Sequence, residues 1–260
     1  MERRGDVERI VQALAEARRI LERFTPGAVA HRRKAGGDPL TAADLAVNEA
    51  LRSLLVQGED GWLSEETADD AARLGRRRVW IVDPLDGTRE FVQGLPEWCV
   101  SIALVEYGRP VAGGICNPAA EVTVVGAVGS GASLNGAPCA VRRRTELCGA
   151  EVLASRSETE RGEWEPVRGA PFVVKPLGSV AYKLARVAAG LTDATWTLVP
   201  KHEWDVAAGT ALVLAAGGAV WIPHGAGPRF NRERPLLPGL AACAAGLERP
   251  IREFLERAAR

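Results

Sequence analysis

Residues 80–88 constrain this chain more than any other segment, and their sequence is WIVDPLDGT. The apolar run at residues 79–82 predicts a buried strand that delivers its last residue to the edge of a sheet. Pro84 is predicted to break this strand, and it lies between two carboxylates, Asp83 and Asp86, that are three residues apart. The segment therefore predicts a strand, a turn and the start of a helix, with two acidic side chains at the turn.

The chemistry of this turn suits two ligands at once. Carboxylates at the end of a strand provide the oxygen atoms that hard divalent cations prefer. The backbone N–H groups of Gly87 and Thr88, at a turn that leads into a helix, suit a phosphate. Metal-assisted phosphoryl chemistry requires a metal site and a phosphate site side by side. The alternative is a turn in which both aspartates only cap the next helix, since turns favour Asp, Pro and Gly.

The composition of the whole chain narrows the class of protein. Its 260 residues suffice for one large domain or two joined lobes, and 33 basic residues balance 33 acidic ones, so no global charge attracts nucleic acid or membranes. The arginine clusters at residues 76–78 and 142–144 lack interleaved aromatics and are interpreted as solvated loop charge. Five scattered cysteines without a C-x-x-C pair indicate reduced thiols, and no apolar run approaches the about 20 residues of a membrane helix. We expect a cytoplasmic enzyme that binds neither nucleic acid polymers nor membranes.

The pattern of hydrophobic residues predicts an N-terminal α+β lobe at residues 1–140 and a C-terminal α/β lobe at residues 141–260. The first lobe is predicted to have helices at residues 7–24 and 41–56, the second of them with Leu45, Leu51, Leu54 and Leu55 inward, and antiparallel strands at residues 98–106, 110–117 and 121–128. The second lobe is predicted to alternate strands at residues 152–154, 172–174, 194–198 and 219–222 with helices at residues 180–189 and 206–216, before a final helix at residues 249–260.

Three further acidic segments are candidates for the same site. Glu65 and Glu66 follow a predicted strand, and a solvated turn is the alternative interpretation. Asp205 directly precedes an apolar helix, where an N-cap is a sufficient explanation by itself. Thr41 and Asp44 share the first turn of a predicted helix, and their spacing is also that of a capping box. Each signal is weak alone.

In their order along the chain, these segments resemble one known family. The matching segments are D-x-x-T-x-x-D at residues 38–44, the acidic pair at residues 65–66, D-P-x-D-G-T at residues 83–88 and W-D-x-A-A-G at residues 204–209. The chain resembles the inositol monophosphatase superfamily of lithium-sensitive, magnesium-dependent phosphomonoesterases, which includes fructose-1,6-bisphosphatase and 3'(2'),5'-bisphosphate nucleotidase branches. The resemblance covers nearly all 260 residues and implies a layered α-β-α-β-α sandwich that combines α+β and α/β organisation.

The resemblance implies a metal centre with two or three Mg²⁺ ions. Asp83 would bridge two of the ions, and Glu65, the Leu85 carbonyl, Asp86 and Asp205 would complete the ligand set. Four crowded carboxylates repel one another strongly unless divalent charge compensates them, so physical chemistry agrees with this assignment.

The resemblance also implies a reaction by direct attack of water bound to one metal. The Thr88 hydroxyl, backed by Asp44, would orient this water and help to deprotonate it. The backbone N–H groups of Gly87 and Thr88 would hold the phosphate oxygens. Lys34 matches a lysine of the family only with a one-residue gap before Asp38, so its role is left open.

On the substrate side the chain departs from the inositol branch. Leu198 stands where those enzymes usually carry a glutamate that bonds polyol hydroxyls, and a buried leucine cannot accept such a bond. Ser155, Arg156, Lys183 and Glu203 instead resemble positions of the bisphosphate nucleotidases. Arg156 and Lys183 would supply positive charge for a second phosphate. The alternative is a surface arginine and a helix lysine that extends to solvent.

The expected function is therefore that of a Mg²⁺-dependent 3'(2'),5'-bisphosphate nucleotidase, which converts adenosine 3',5'-bisphosphate to AMP and phosphate. The first alternative is an inositol-1-phosphate phosphatase or a fructose-1,6-bisphosphatase of the same superfamily. A more remote alternative is a regulatory or RNA-associated protein without catalysis, which the complete set of acidic positions disfavours. The expected partners are a small phosphorylated substrate and, by resemblance to an often dimeric family, a second copy in a homodimer.

Overall fold

The computed structural model describes residues 3–34, 37–69, 71–223 and 225–258. Its α-helices are α1 (Arg4–Leu21), α2 (Ala42–Leu55), α3 (Thr88–Val92), α4 (Arg156–Glu160), α5 (Val180–Ala188), α6 (Glu203–Ala215) and α7 (Glu248–Ala258). Its strands are β1 (His31–Arg33), β2 (Pro39–Thr41), β3 (Gly61–Ser64), β4 (Arg78–Asp86), β5 (Cys99–Glu106), β6 (Arg109–Asn117), β7 (Val122–Ala127), β8 (Gly131–Leu134), β9 (Ala137–Cys139), β10 (Glu151–Ser155), β11 (Val173–Leu177), β12 (Ala194–Thr197), β13 (Lys201–His202), β14 (Gly218–Trp221), β15 (Leu236–Leu237) and β16 (Leu240–Ala244).

The larger sheet has seven strands in the order β3-β4-β5-β6-β7-β8-β9. The β3–β4 pair is parallel, and every later pair is antiparallel. Short turns join the consecutive strands from β5 to β9, and the segment that contains α3 joins β4 to β5. Side chains alternate across β4, so that Trp80 and Val82 pack against α1 and α2 while Val79 and Ile81 face the opposite side. Both faces of β4 are covered, which explains its continuous apolar sequence.

The smaller sheet has five strands in the order β11-β10-β12-β16-β14. Strands β11, β10 and β12 are parallel to one another, whereas β16 is antiparallel to both β12 and β14. The parallel strands need crossover connections, which α4 and α5 help to provide.

The two sheets and the helices stack in five layers. Helices α1 and α2 cover the outer face of the larger sheet, and their apolar side chains form one core with it. Helices α5 and α6 lie between the sheets, in a second core that contains residues of both. Helix α7 covers the outer face of the smaller sheet. The α-β-α-β-α arrangement implied by the family resemblance is confirmed.

Several local predictions need correction. Strand β4 does not end at Pro84 but continues to Asp86, with an irregular register against β5 between Asp83 and Asp86. Strands β8, β9 and β16 and the short helix α4 were not predicted. Leu45 and Leu54 are 43% and 39% exposed, so only two of the four leucines assigned to the inner face of α2 are buried.

Other predictions agree or stay open. Helix α2 begins at a capping box, in which Thr41 accepts from the Asp44 N–H and Asp44 accepts from the Thr41 N–H. The division at residues 140–141 stays a prediction, as does the end of the last helix beyond Ala258, which lies outside the described residues. In the described part of the chain, no helix is both long and apolar enough to cross a lipid bilayer.

Candidate active site

A cavity of about 320 Å³ opens where the end of β4 meets the first turns of α5 and α6. All five residues that are predicted to bind metal line this cavity, namely Glu65, Asp83, Leu85, Asp86 and Asp205. Gly87, Thr88, Ser155 and Lys183 also line it, so the cavity brings together segments that are far apart in the sequence.

Three carboxylates converge in this cavity. Asp83, Asp86 and Asp205 each place one carboxylate oxygen within 4.8 Å of the other two. Asp83 and Asp86 are held at the end of β4, and the Leu85 N–H donates to Asp83 Oδ1 at 2.9 Å. Asp205 lies in the first turn of α6, where its Oδ2 accepts from the His202 N–H at 2.9 Å. The N-cap interpretation of Asp205 is therefore wrong, because His202 is the N-cap residue and Asp205 is the third residue of the helix. Its bond to the N-cap N–H still fixes the carboxylate and brings it to the site.

The three carboxylates repel one another in a poorly solvated place. Burial, and then the charge of Glu65, raises the pKa of Asp83 well above its ordinary value. Burial and the charge of Asp86 do the same for the pKa of Asp205. Burial also raises the pKa of Asp86, although hydrogen bonds from Ser179 and Ala181 oppose this effect. A cluster of this kind, made only of oxygen donors, fits a hard divalent cation, whose charge removes the repulsion.

Glu65 lies at the side of this cluster with a lysine that the sequence left without a role. Lys34 Nζ donates to Glu65 Oε1 at 2.6 Å and also to Glu66. Burial raises the pKa of Glu65, while the charge of Lys34 lowers it. Lys34 therefore holds Glu65 in its place at the rim of the cavity.

Thr88 and Asp44 meet behind the cavity wall. Thr88 Oγ1 lies 3.2 Å from Asp44 Oδ1 and 2.9 Å from the Leu85 carbonyl oxygen, so its single proton can be donated to either. Asp44 Oδ2 accepts from the Thr41 backbone N–H at 2.8 Å and from the Thr41 hydroxyl at 2.6 Å. The capping box of α2 thus also orients the carboxylate that faces Thr88.

Gly87 is required by the backbone at the turn before α3. Its φ is +95°, and a Cβ atom there would lie 2.7 Å from the Glu97 carbonyl oxygen and 3.1 Å from Trp98 Cα. Any other residue would be strained and would displace the strand that follows. The absence of a side chain leaves the backbone of this turn open to the cavity.

Comparison with known proteins agrees with this geometry. Residues 6–256 match the family model described as the inositol monophosphatase family. The chain belongs to this family. Members of the family are phosphatases that hydrolyse phosphomonoesters, so the predicted enzyme class is confirmed.

Individual relatives extend this comparison along the whole chain. The chain is 32% identical, over 234 residues, to the inositol-1-monophosphatase of Rhizobium meliloti (strain 1021), a match that covers 86% of this chain and 85% of the relative. It superimposes on the extragenic suppressor protein suhB from Bartonella henselae with a TM-score of 0.82 and 31% identity, covering 98% of each chain. It superimposes on CysQ from Bacteroides thetaiotaomicron, a bacterial member of the inositol monophosphatase family, with a TM-score of 0.77 and 28% identity, covering 93% of this chain and 97% of that one.

The predicted substrate contacts of this family member divide into two groups. Ser155 and Lys183 line the cavity, and the Lys183 ammonium is buried there. Arg156 does not line it, because its guanidinium is paired with Glu97, with Nε 3.1 Å from Oε2. The structure therefore corrects the assignment of Arg156, whose charge is already compensated by the carboxylate.

Glu203 and Leu198 also need correction. The Glu203 carboxylate is completely buried and accepts from the Asn231 and Arg232 backbone N–H groups at 2.7 and 3.0 Å, so it is a structural group behind the first turn of α6. Leu198 is not buried but 58% exposed, and it lines a separate apolar groove with Trp164 and Trp196. Neither side chain reaches the cavity.

Sequence reasoning also missed residues that line the cavity. Ser179 Oγ donates to Asp86 Oδ2 at 2.7 Å, and Lys201 and Arg161 add cationic groups to the wall. The position of Lys201, four residues before Asp205, was the one available signal, since the turn that delivers Asp205 must carry its neighbours to the same cavity. The other two depend on contacts between distant segments.

Proposed function

We propose that this enzyme is a Mg²⁺-dependent 3'(2'),5'-bisphosphate nucleotidase, which removes the 3'-phosphate of adenosine 3',5'-bisphosphate to leave AMP. The observation that carries this proposal is the buried Lys183 ammonium in the cavity wall. Its Nζ donates to two backbone carbonyls, of Leu177 at 3.2 Å and of Ser179 at 3.0 Å. A buried ammonium is expensive unless an anion accompanies it, and a second phosphate on the substrate supplies one.

The electrostatic environment of Lys183 supports this proposal. Burial lowers the pKa of Lys183 to about 8, while the charges of Asp86 and Glu158 oppose the fall. Within the described residues, no carboxylate forms a direct ion pair with it. A phosphate dianion beside this group would raise its pKa and stabilise the charged form.

The metal ligands in this proposal are Glu65, Asp83, the Leu85 carbonyl, Asp86 and Asp205. When bound, Mg²⁺ lowers the pKa of a coordinated water and stabilises negative charge on the phosphate. Glu65 is held toward the site by Lys34 at 2.6 Å, and Asp86 is held by Ser179 at 2.7 Å. These contacts set the direction of each carboxylate before the ion arrives.

Thr88 and Asp44 handle the proton in this proposal. The Thr88 hydroxyl can accept a hydrogen bond from water while it donates its own proton to Asp44 Oδ1 at 3.2 Å. Burial raises the pKa of Asp44, which makes it a better proton acceptor, although its bonds to Thr41 limit the rise. The backbone N–H groups of Gly87 and Thr88 hold phosphate oxygens at the same turn.

A second candidate function is inositol-1-phosphate hydrolysis, favoured by the name of the Rhizobium meliloti relative. This substrate lacks a second phosphate and would leave the Lys183 ammonium without an anion. The two functions therefore differ in whether the substrate places a second anion beside the cationic wall of the cavity, which is formed by Lys183, Lys201 and Arg161.

The test compares kcat/KM for adenosine 3',5'-bisphosphate, inositol-1-phosphate and fructose-1,6-bisphosphate, each with saturating Mg²⁺. We expect the nucleotide to be preferred by at least about tenfold, which corresponds to about 1.4 kcal/mol in the activation barrier. Preference for inositol-1-phosphate by the same factor would refute the nucleotidase proposal and leave the phosphatase assignment in place.

A further inference from the structure

Lys201 is a second cationic group in the active-site cavity. It lies on β13, four residues before Asp205, and its side chain is 15% exposed at the cavity wall. Most of the Lys201 side chain is covered by the rest of the protein, which restricts the movement of its ammonium group. The reaction proposed above assigns no role to Lys201.

Glu158 determines where the Lys201 ammonium lies. Its Oε1 is 2.9 Å from Lys201 Nζ and accepts from the Thr197 hydroxyl at 2.7 Å, while its Oε2 lies 3.4 Å from Trp164 Nε1. The Glu158 side chain is 2% exposed. With three partners in a buried place, the carboxylate has one orientation, and so has the lysine that it binds.

Lys201 retains hydrogen-bond donors beyond its contact with Glu158. In the part of the chain that the structure describes, Glu158 is the acidic partner of Lys201, and an ammonium has three protons to donate. Lys183 lies close enough for the two lysines to repel each other, and this repulsion contributes to its lowered pKa after burial. Besides Glu158, the carboxylates of Asp86 and Asp205 interact with these lysines through their charge, while the remaining ammonium protons stay available to a ligand.

Further hydrogen-bond donors line the same cavity as the two lysines. The Ser155 and Ser157 hydroxyls line the same side of the cavity and lie 3.1 Å from each other. Arg161 also lines it, paired with Glu163 at 2.6 Å at the exposed rim. A wall that combines ammonium groups with hydroxyl donors suits a phosphate group, which accepts several hydrogen bonds at once.

A purely structural ion pair is the alternative role for Lys201. A structural pair stabilises the fold equally whatever substrate is present, so its loss would affect all substrates to the same extent. A binding role affects only substrates that carry the group it binds. The two roles therefore differ in their effect on selectivity.

We propose that Lys201, held in place by Glu158, is a specificity-determining residue that binds the second phosphate of a substrate whose first phosphate lies at the carboxylate cluster. This inference rests on the proposed function and assigns to it a residue that no sequence motif marks. Lys201 touches the substrate, whereas Glu158 is a positioning residue that acts through Lys201.

The test uses two substrates that differ only in the 5'-phosphate, adenosine 3',5'-bisphosphate and adenosine 3'-monophosphate. We expect the wild-type enzyme to prefer the bisphosphate in kcat/KM, and Lys201→Gln to reduce this preference by at least about tenfold. The loss should arise mainly in the KM for the bisphosphate, because the missing contact binds ground state and transition state alike. Lys201→Arg keeps the charge and should restore most of the preference.

Two further variants serve as controls. Lys175→Gln changes the other exposed lysine of the same lobe, which is 56% exposed and paired with Glu151 outside the cavity, and should leave the preference unchanged. Glu158→Gln frees Lys201 without removing it and should reduce the preference by a smaller factor, again through KM. The double variant Glu158→Gln/Lys201→Gln does not leave the buried Glu158 carboxylate without its lysine, and it replaces Lys201→Gln should that variant fail to fold.

The outcomes separate this inference from the proposed function. If the wild-type enzyme does not prefer the bisphosphate over the monophosphate, both are overturned. If it prefers the bisphosphate but the Lys201→Gln and double variants reduce kcat/KM for both substrates equally, the nucleotidase proposal stands and the role of Lys201 is overturned. A selective loss in these variants, with rescue by arginine, supports both.

Discussion

The carboxylate end of the cavity and its cationic wall are built in different ways. Two carboxylates of the first region are fixed by a backbone N–H that is close in the sequence, Asp83 by Leu85 and Asp205 by His202, each at 2.9 Å. Asp86 instead accepts hydrogen bonds from Ser179 and Ala181 across the fold. The wall depends instead on side-chain pairs between distant segments, as with Lys201 and Glu158 at 2.9 Å, 43 positions apart by their residue numbers. The orientation of Asp83 and Asp205 is therefore set by local motifs, whereas the lysine to which we assign selectivity is held by a long-range contact.

The largest expected effect comes from Asp83→Asn at the carboxylate end. Asp83 is one of the three carboxylates of the cluster, and a bound metal ion would stabilise a phosphoryl transition state by several kcal/mol. Its loss should therefore lower turnover by a factor on the order of a thousand or more. The measurement is steady-state hydrolysis with Mg²⁺, together with circular dichroism to show that the fold is kept.

Stability distinguishes a metal ligand from a structural residue at this position. Since burial and neighbouring charges raise the pKa of Asp83, the neutral asparagine should leave the melting temperature in chelator equal or higher. The rise in melting temperature that Mg²⁺ produces should disappear. Glu146→Gln, at an exposed site, should retain this rise. Turnover close to wild type in Asp83→Asn would exclude the proposed centre.

Thr88→Ala should have the next largest effect. It removes the hydroxyl that lies 3.2 Å from Asp44 and 2.9 Å from the Leu85 carbonyl, and a positioned proton-transfer group contributes at least about a hundredfold. The loss should occur in kcat, with Mg²⁺ affinity little changed. Thr88→Ser keeps the hydroxyl and should recover most of the activity. If alanine and serine behave alike, the proton role of Thr88 is wrong.

Ser179→Ala tests a contact between the two regions. The Ser179 hydroxyl donates to Asp86 at 2.7 Å, and the loss of such an outer partner weakens metal binding by about tenfold or more. Because Ser179 also caps α5, the free energy of unfolding should fall by about 1 kcal/mol. Calorimetric titration with Mg²⁺ measures the first effect and chemical denaturation the second. Unchanged Mg²⁺ affinity would show that the Ala181 N–H alone is sufficient to orient Asp86.

The same contrast explains what could be predicted from the sequence. Hydrophobic patterns predicted most of the helices and strands, whereas the layered arrangement and the metal ligands were implied by the family resemblance that the short motifs carry. Arg156 was assigned to the substrate by resemblance to the bisphosphate nucleotidases, and its neutralising partner Glu97, 59 positions away, is not marked by any local pattern. Strand β16 was missed because its sequence, LAACA, consists mostly of small residues without a strong strand signal. In both cases the structure depends on pairing with a segment that is distant in the sequence, which a local pattern does not reveal.

The smallest expected effect belongs to Leu198, which the family resemblance placed at the polyol contact. Because this side chain is 58% exposed in a separate groove, Leu198→Glu should not create a polyol-binding site. Exposed substitutions change free energies by about 0.5 kcal/mol or less, so kcat/KM for inositol-1-phosphate should stay within about twofold of wild type. Lys201→Gln, three residues further along the chain, should change selectivity much more. A gain of about tenfold for inositol-1-phosphate in Leu198→Glu would instead mean that this segment reaches the cavity during turnover, and that local sequence encodes selectivity here as it encodes the chemistry.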